Sequence, residues 1–256
     1  MDVNYIGFIE TMFVQHNKIP LLSLHAKRLQ ESFLKINCIL SIDDIVLKIN
    51  KLLESTSGIS QEANKCRLLV EFFPLKANIE EKWTMELSTV PYNIYTLNEK
   101  GIRLTHYSEE KISTNIFTNC KTNDRKIYDN ARNFAQQNNF DDAIIENENG
   151  FVADCSIYNL FLIKGEQLFT PKLSDNIVAG VARQCFLQYN TKYTIIEKSL
   201  SIQNFYDADA VFVSNALRGI QSVQQFGNHI YNDNIVKLIH QYWKNILREH
   251  FSIEMV

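Results

Sequence analysis

Glycine and proline are scarce, eight and four residues in a chain of 256, and the sequence contains no low-complexity tract and no internal repeat. Cysteine is also sparse. Its five positions (Cys38, Cys66, Cys120, Cys155, Cys185) are odd in number and lack CxxC spacing, which reads as reduced thiols and not as a disulfide framework or a zinc site. No excess of one charge exists: 26 basic and 29 acidic residues leave a net charge of -3, and the basic residues are scattered, so there is no footprint for nucleic acid. No apolar run approaches the roughly 20 residues that span a bilayer. The start, Met1-Asp-Val-Asn-Tyr5, has neither the basic opening nor the apolar core of a signal peptide, so the expected location is the cytoplasm. GxGxxG, P-loop, GxSxG and HExxH motifs are absent, which leaves nucleotide-binding, serine-hydrolase and zincin readings without support, and no metal is expected.

What the chain does contain is ordinary for a soluble globular protein: 45% hydrophobic and 21% charged residues, with 16 Phe and 11 Tyr spread through core-like segments. The length allows one large or two small domains. β-Formers over Ile6–Val14, the polar turn Gln15–Lys18 and Ile19-Pro-Leu-Leu22 predict a hairpin. Apolar spacing predicts helices over His25–Ile36 and Ser41–Leu53, the second opened by Ser41 and the acids at 43 and 44. Strands follow over Cys66–Phe73, Trp83–Val90 and Gly101–Tyr107, and the polar segment Ser108–Asn119 reads as an interdomain linker. The second half alternates helices (Ile127–Gln137, Val181–Tyr189, Ile235–His250) with short strands at 143–147, 151–152, 160–163, 168–170, 193–198 and 210–213. Short mixed elements in two halves indicate an α+β fold with domains 1–107 and 120–256 and ligands in a cleft.

One constellation carries chemistry. Lys121 begins Lys121-Thr-Asn-Asp-Arg125; about thirty residues later comes Gly150-Phe-Val-Ala-Asp154-Cys-Ser-Ile-Tyr-Asn159-Leu-Phe161. Upstream lies His25-Ala-Lys-Arg28-Leu29, fourteen residues after Glu10-Thr11. Downstream lie Val178, Gly180-Val-Ala-Arg183 and Ser214-Asn-Ala-Leu217. Taken singly these are a surface lysine, a turn aspartate, a helix arginine and generic turns. In this order they resemble the class IV aminotransferases (fold-type IV pyridoxal phosphate enzymes), closest to 4-amino-4-deoxychorismate lyase-like members.

Pyridoxal 5'-phosphate needs a lysine amine of lowered pKa, a carboxylate at its pyridine nitrogen, an arginine and backbone amides for its phosphate, and an apolar wall. The resemblance assigns the Schiff base to Lys121, with Lys126 as the alternative lysine. It gives the carboxylate to Asp154, where the family has Glu, and the phosphate clamp to Arg28. Phosphate amides fall to Val181 and Ala182, ring packing to Val178 and a polar phosphate contact to Asn215. His25 reads as structural. The resemblance further implies a two-domain homodimer with its cofactor in the interdomain cleft, acting on a small amino substrate. Three functions follow from it: lysis of 4-amino-4-deoxychorismate to 4-aminobenzoate and pyruvate, transamination of branched-chain or D-amino acids, or a degenerate homologue without turnover. The length and the Lys121…Arg125 spacing, with Asp124 where some lyases have Asn, suit the lyase. A Gly-Asp-Gly lead and an Arg-x-His carboxylate motif are missing; the corresponding region runs from Arg67 to Lys76.

Overall fold

A computed structural model describes residues 7–56, 64–72, 83–91 and 97–251. The chain forms two compact units: Met1–Ile94 with Cys120–Arg125, and Tyr95–Asn119 with Lys126–Val256. Both are mixed α+β.

In the first unit, β1 (Gly7–Val14), β2 (Asn64–Phe72) and β3 (Trp83–Pro91) pair antiparallel in that order. Alternation on β1 turns Phe8 and Glu10 toward α1 (Leu22–Leu34), where Phe8 meets Phe33 edge to face at 6.2 Å. α2 (Ile42–Ser55) packs against α1 and buries Ile45, Ile49 and Leu53 at four-residue spacing. Its start is as expected: Ser41 caps the Asp44 amide at 3.0 Å, and Asp43 and Asp44 sit in the first turn. The free edge of β1 is lined by residues 121–123. Ile9 donates to the Lys121 carbonyl at 2.8 Å, Asn123 donates to the Gly7 carbonyl at 2.9 Å, and Gly7 donates to Asn123 Oδ1 at 2.8 Å.

In the second unit, nine strands pair as one sheet among the described residues: β4 (Ile102–Ile112), β5 (Asp142–Asn147), β6 (Val152–Cys155), β7 (Asn159–Lys164), β8 (Gln167–Thr170), β9 (Thr194–Glu197), β10 (Ala210–Asn215), β11 (Gly219–Phe226) and β12 (His229–Ile230). The order is β6-β5-β4-β11-β10-β7-β8-β9, with β12 on β11. α3 (Lys126–Gln137) crosses from β4 to the parallel β5, and α4 (Val181–Tyr189) joins β8 to the parallel β9. α5 (Ile202–Tyr206) precedes β10, and α6 (Asn234–Phe251) packs on β10 and β11. The run Ala210–Val213 is apolar throughout because both faces are covered. Phe212 stacks on Phe161 at 4.6 Å beside Phe186, while Val211 and Val213 enter a second cluster with Leu160, Val223 and Phe226.

Four sequence expectations change. The turn at Gln15–Lys18 forms, with reciprocal 2.9 Å bonds and positive φ at His16 and Asn17, but no second hairpin arm follows. Pro20 lacks an amide to donate, Leu22 already starts α1, and β1 takes β2 as its partner. Residues 108–112 continue β4 instead of forming linker, held by the Ile112–Asn147 pairing across a register shift. Cys120–Arg125 group with the first unit, so residues 1–107 and 120–256 are not the compact bodies. β11 was not expected as a strand. Ile6 and Phe73, included in predicted strands, lie outside the described residues.

Candidate active site

The first centre is built on β1. Lys121, half-buried, reaches Thr11 Oγ1 with its Nζ at 3.4 Å. Thr11 pairs with Arg67 of β2, so the two side chains share a face of the sheet. Burial above all, with the Arg28, Arg125 and Arg67 charges acting in the same direction and Glu10 opposing them, brings the Lys121 amine down from 10.5 to about 7. At neutral pH a large fraction of this amine is therefore unprotonated and nucleophilic. Lys126, the alternative lysine, is an exposed residue at the start of α3 and belongs to the other unit.

Arg28 lies one turn after His25 on α1, and both face Glu10. Arg28 Nε donates to Glu10 Oε1 at 2.7 Å, and its Nη2 donates to Oε2. His25 Nδ1 lies 2.5 Å from the same Oε2, and all three side chains are buried. Burial alone would raise Glu10, but the Arg28 and His25 charges and hydrogen bonds outweigh it and hold the carboxyl at about 2. Burial outweighs the pull of Glu10 on His25 and lowers its pKa.

The second centre is built on β6. Asp154 is 2% exposed. Its Oδ2 accepts from the Val178 amide at 2.6 Å and its Oδ1 from Asn159 Nδ2 at 2.7 Å, while the same Asn159 nitrogen donates to the Val178 carbonyl at 3.0 Å. Burial raises the acid from 3.8 to about 7, against the lowering effect of the Val178 amide, Asn159 and Arg183. Its hydrogen bonds among the described residues come from neutral donors, so the buried charge is without a contact cation. Gly180 is required here: a Cβ at that position would stand 1.5 Å from Asn159 Oδ1.

Gly180 is also the N-cap of α4 and offers no side-chain cap. The first amides of the helix, on the buried Val181 and Ala182, are the kind that receive an anion. Arg183 anchors this helix start by donating to Thr170 Oγ1, the Pro171 carbonyl and Glu197. Asn215, expected as a polar phosphate contact, spends its side chain on its own turn: Oδ1 accepts from Leu217 and Arg218 at 3.1 and 2.8 Å, and Nδ2 donates to the Ile157 carbonyl at 3.3 Å. It shapes the loop after β10.

The structure thus places Arg28 and Lys121 in one centre and Asp154, Val178, Val181 and Ala182 in the other. Glu10, Thr11 and Asn159 belong to these centres but carried no role in the sequence reading. Their signal was position, since Glu10-Thr11 and Asn159 lie inside the quoted motifs. Among the described residues no cluster of three or more His, Cys, Asp or Glu could hold a metal, and no helix is long and apolar enough to cross a membrane.

Comparisons with known proteins bear on the family and the fold. The family model for amino-transferase class IV matches residues 7–226. A probable branched-chain-amino-acid aminotransferase of Aquifex aeolicus (strain VF5) is 26% identical over 125 residues, 46% of this chain and 40% of that protein. An aminodeoxychorismate lyase of Vibrio harveyi is 35% identical over 86 residues, 33% of this chain and 32% of that protein. The matches therefore span well under half of either relative. An aminotransferase from Brucella abortus, solved bound to the co-factor PLP, superposes with a TM-score of 0.80 at 17% identity, covering 96% of this chain and 89% of that one. A lowered lysine amine, a buried acid lacking a contact cation and a helix start presenting amides suit an aldehyde, a pyridine nitrogen and a phosphate respectively. With 7–226 matched, the chain belongs to the class IV aminotransferase family, whose enzymes work with pyridoxal phosphate.

Proposed function

We propose that this protein is the lyase that converts 4-amino-4-deoxychorismate to 4-aminobenzoate and pyruvate. The observation carrying this reading is the Thr11 hydroxyl 3.4 Å from the Lys121 amine. Lysis needs one group to take a proton from the amine-bearing carbon and another to hold or deliver a proton as the enolpyruvyl oxygen departs. A neutral amine with a hydroxyl beside it offers both at one place. The Vibrio harveyi likeness supports the same reading.

The bound cofactor supplies an electron sink for charge developing at that carbon. Lys121 would hold the cofactor aldehyde, and its Nζ is placed to hold or move a proton. Asp154 pairs with the pyridine nitrogen, and that cation would draw the acid back toward its charged form. Val178, pinned through its amide and carbonyl, presents its side chain as the apolar wall. In the first unit Arg28 would be the phosphate-binding side chain, and in the second the Val181 and Ala182 amides are of the kind that take phosphate, with Asn215 keeping its loop in shape. The protein acts as a cytoplasmic homodimer on a small amino substrate, without nucleic acid or membrane.

Transamination of branched-chain or D-amino acids is the second reading, and the Aquifex aeolicus likeness favours it. The two separate by stoichiometry. The two lyase products together contain every atom of the substrate, so turnover needs no amino acceptor. The cofactor-loaded protein should release 4-aminobenzoate and pyruvate from 4-amino-4-deoxychorismate alone. Turnover confined to L- or D-amino acids with a 2-oxo acid would reject the lyase, and no turnover with either would mark a degenerate homologue.

A further inference from the structure

Glu10 occupies the point of β1 between the two contacts that hold Lys121. The preceding residue, Ile9, bonds the Lys121 carbonyl through its amide, and the following residue, Thr11, carries the hydroxyl beside the Lys121 amine. The Glu10 side chain turns the other way, onto α1. It is 1% exposed, and both of its oxygens are engaged: one by Arg28 Nε at 2.7 Å, the other by Arg28 Nη2 and by His25 Nδ1. A forked guanidinium–carboxylate pair fixes the plane of the guanidinium as well as its place, which a single hydrogen bond does not.

We infer that Glu10 is a positioning residue of this site, which orients Arg28 through the forked pair and supplies the negative charge that offsets the arginines around the Lys121 amine. This rests on the reading of Lys121 as the reactive lysine and Arg28 as the phosphate clamp. The groups acting on the amine are Arg28 and His25 from α1, Glu10 and Thr11 from β1, Arg67 from β2, and Arg125 just beyond Lys121. Burial is the largest influence and the three arginines act with it; Glu10 acts against them. An amide at position 10 keeps the shape but removes that opposing charge, so the amine must lose its proton at lower pH. The same change unforks Arg28, so the phosphate group must be held less well. A side chain that merely filled space would move neither.

The test uses the full chain. The pH dependence of Lys121 acylation by an amine-reactive reagent is read by peptide mass spectrometry, with Lys126 as internal reference. Glu10→Gln should shift the Lys121 midpoint down by about half a pH unit or more. It should also retain pyridoxal phosphate about tenfold less well on dialysis. A variant with wild-type circular dichroism whose Lys121 midpoint stays in place or rises would overturn the inference. If Glu10→Gln does not fold, carboxyl ¹³C NMR of the wild type decides. Glu10 should remain ionised where the exposed glutamates have already titrated, and an ordinary glutamate midpoint would overturn it. Lys121→Ala separates the two levels. Visible cofactor absorbance retained in that variant rejects the reading of Lys121, and the inference with it. Absorbance lost there, with an unmoved midpoint in Glu10→Gln, rejects the inference alone.

Discussion

The centre around Lys121 and the centre around Asp154 both hold a titrating group near neutrality, but they are built from different materials. Burial lowers the amine from 10.5 to about 7 in a setting of charges, three arginines against Glu10. Burial raises the acid from 3.8 to about 7 in a setting of neutral donors, the Val178 amide and the Asn159 side chain. The first centre is therefore organised by ion pairing and should answer to changes of charge. The second is organised by close packing, with Gly180 leaving no room for a Cβ beside Asn159, and should answer to changes of shape. Both carry a buried ionisable group at a cost to the cofactor-free protein, as functional sites commonly do.

The largest effect is expected in the charged centre. Arg28→Ala should weaken cofactor affinity by on the order of 2–5 kcal/mol, because phosphate loses a charge-assisted contact and the buried Glu10 keeps only His25 as a charged-group partner. Equilibrium dialysis measures it, and unchanged retention would remove Arg28 from the site. In the packed centre, Gly180→Ala keeps every charge yet should cost about 1–3 kcal/mol of stability, since Asn159 must move and Asp154 loses its amide partner. A thermal midpoint equal to wild type would contradict the tight approach.

Asp154→Asn comes next, at about 1.4 kcal/mol or more of barrier, a tenfold or larger loss of turnover with the cofactor still bound, because a neutral amide cannot hold the pyridine nitrogen protonated. Full activity in this variant would end the assignment.

The smallest effect is a matter of slope and distinguishes the centres by sign. For Asp154 the folded pKa is raised, so its contribution is fully present below 3.8 and is lost as pH rises through about 7. For Lys121 the folded pKa is depressed, so its contribution is present above 10.5 and is lost as pH falls through about 7. Denaturant midpoints of the cofactor-free wild type, taken relative to Asp154→Asn, should fall between about pH 4 and 7. Taken relative to Lys121→Met, they should rise between about pH 7 and 10.5. Flat differences in either window would mean that the group titrates as it does in the unfolded chain.

Much of this was legible in the sequence, because elements with a clear apolar period or cap follow local rules. Ser41 with Asp43 and Asp44 marks the start of α2, and the unbroken Ala210–Val213 run marks a strand buried on both faces. The failures share a cause. β11 carries Gln221, Ser222, Gln224 and Gln225, and is a strand because β10 and β4 pair with it; the buried Gln221 amide bonds the Asn98 amide and the Arg218 carbonyl. Residues 108–111 are polar and mostly exposed, and the strand runs on through them to Ile112, which pairs with Asn147.

In the site, Lys121, Arg28 and Asp154 were singled out by the family resemblance. The sequence did not reveal that Asn215 is consumed by its own turn, nor that Glu10 faces Arg28 with both oxygens. Those are three-dimensional facts about which polar partner is nearest, and no period or spacing encodes them.

The central claim is that the buried amine beside Thr11 is the lysine that takes the cofactor. Borohydride reduction of the pyridoxal-phosphate-loaded protein, followed by digestion and peptide mass mapping, tests it most directly. The account predicts the reduced cofactor mass on Lys121 and its loss in Lys121→Ala, while Lys126→Ala labels like wild type. Cofactor mass on Lys126 or another lysine, with Lys121 unmodified, would contradict it.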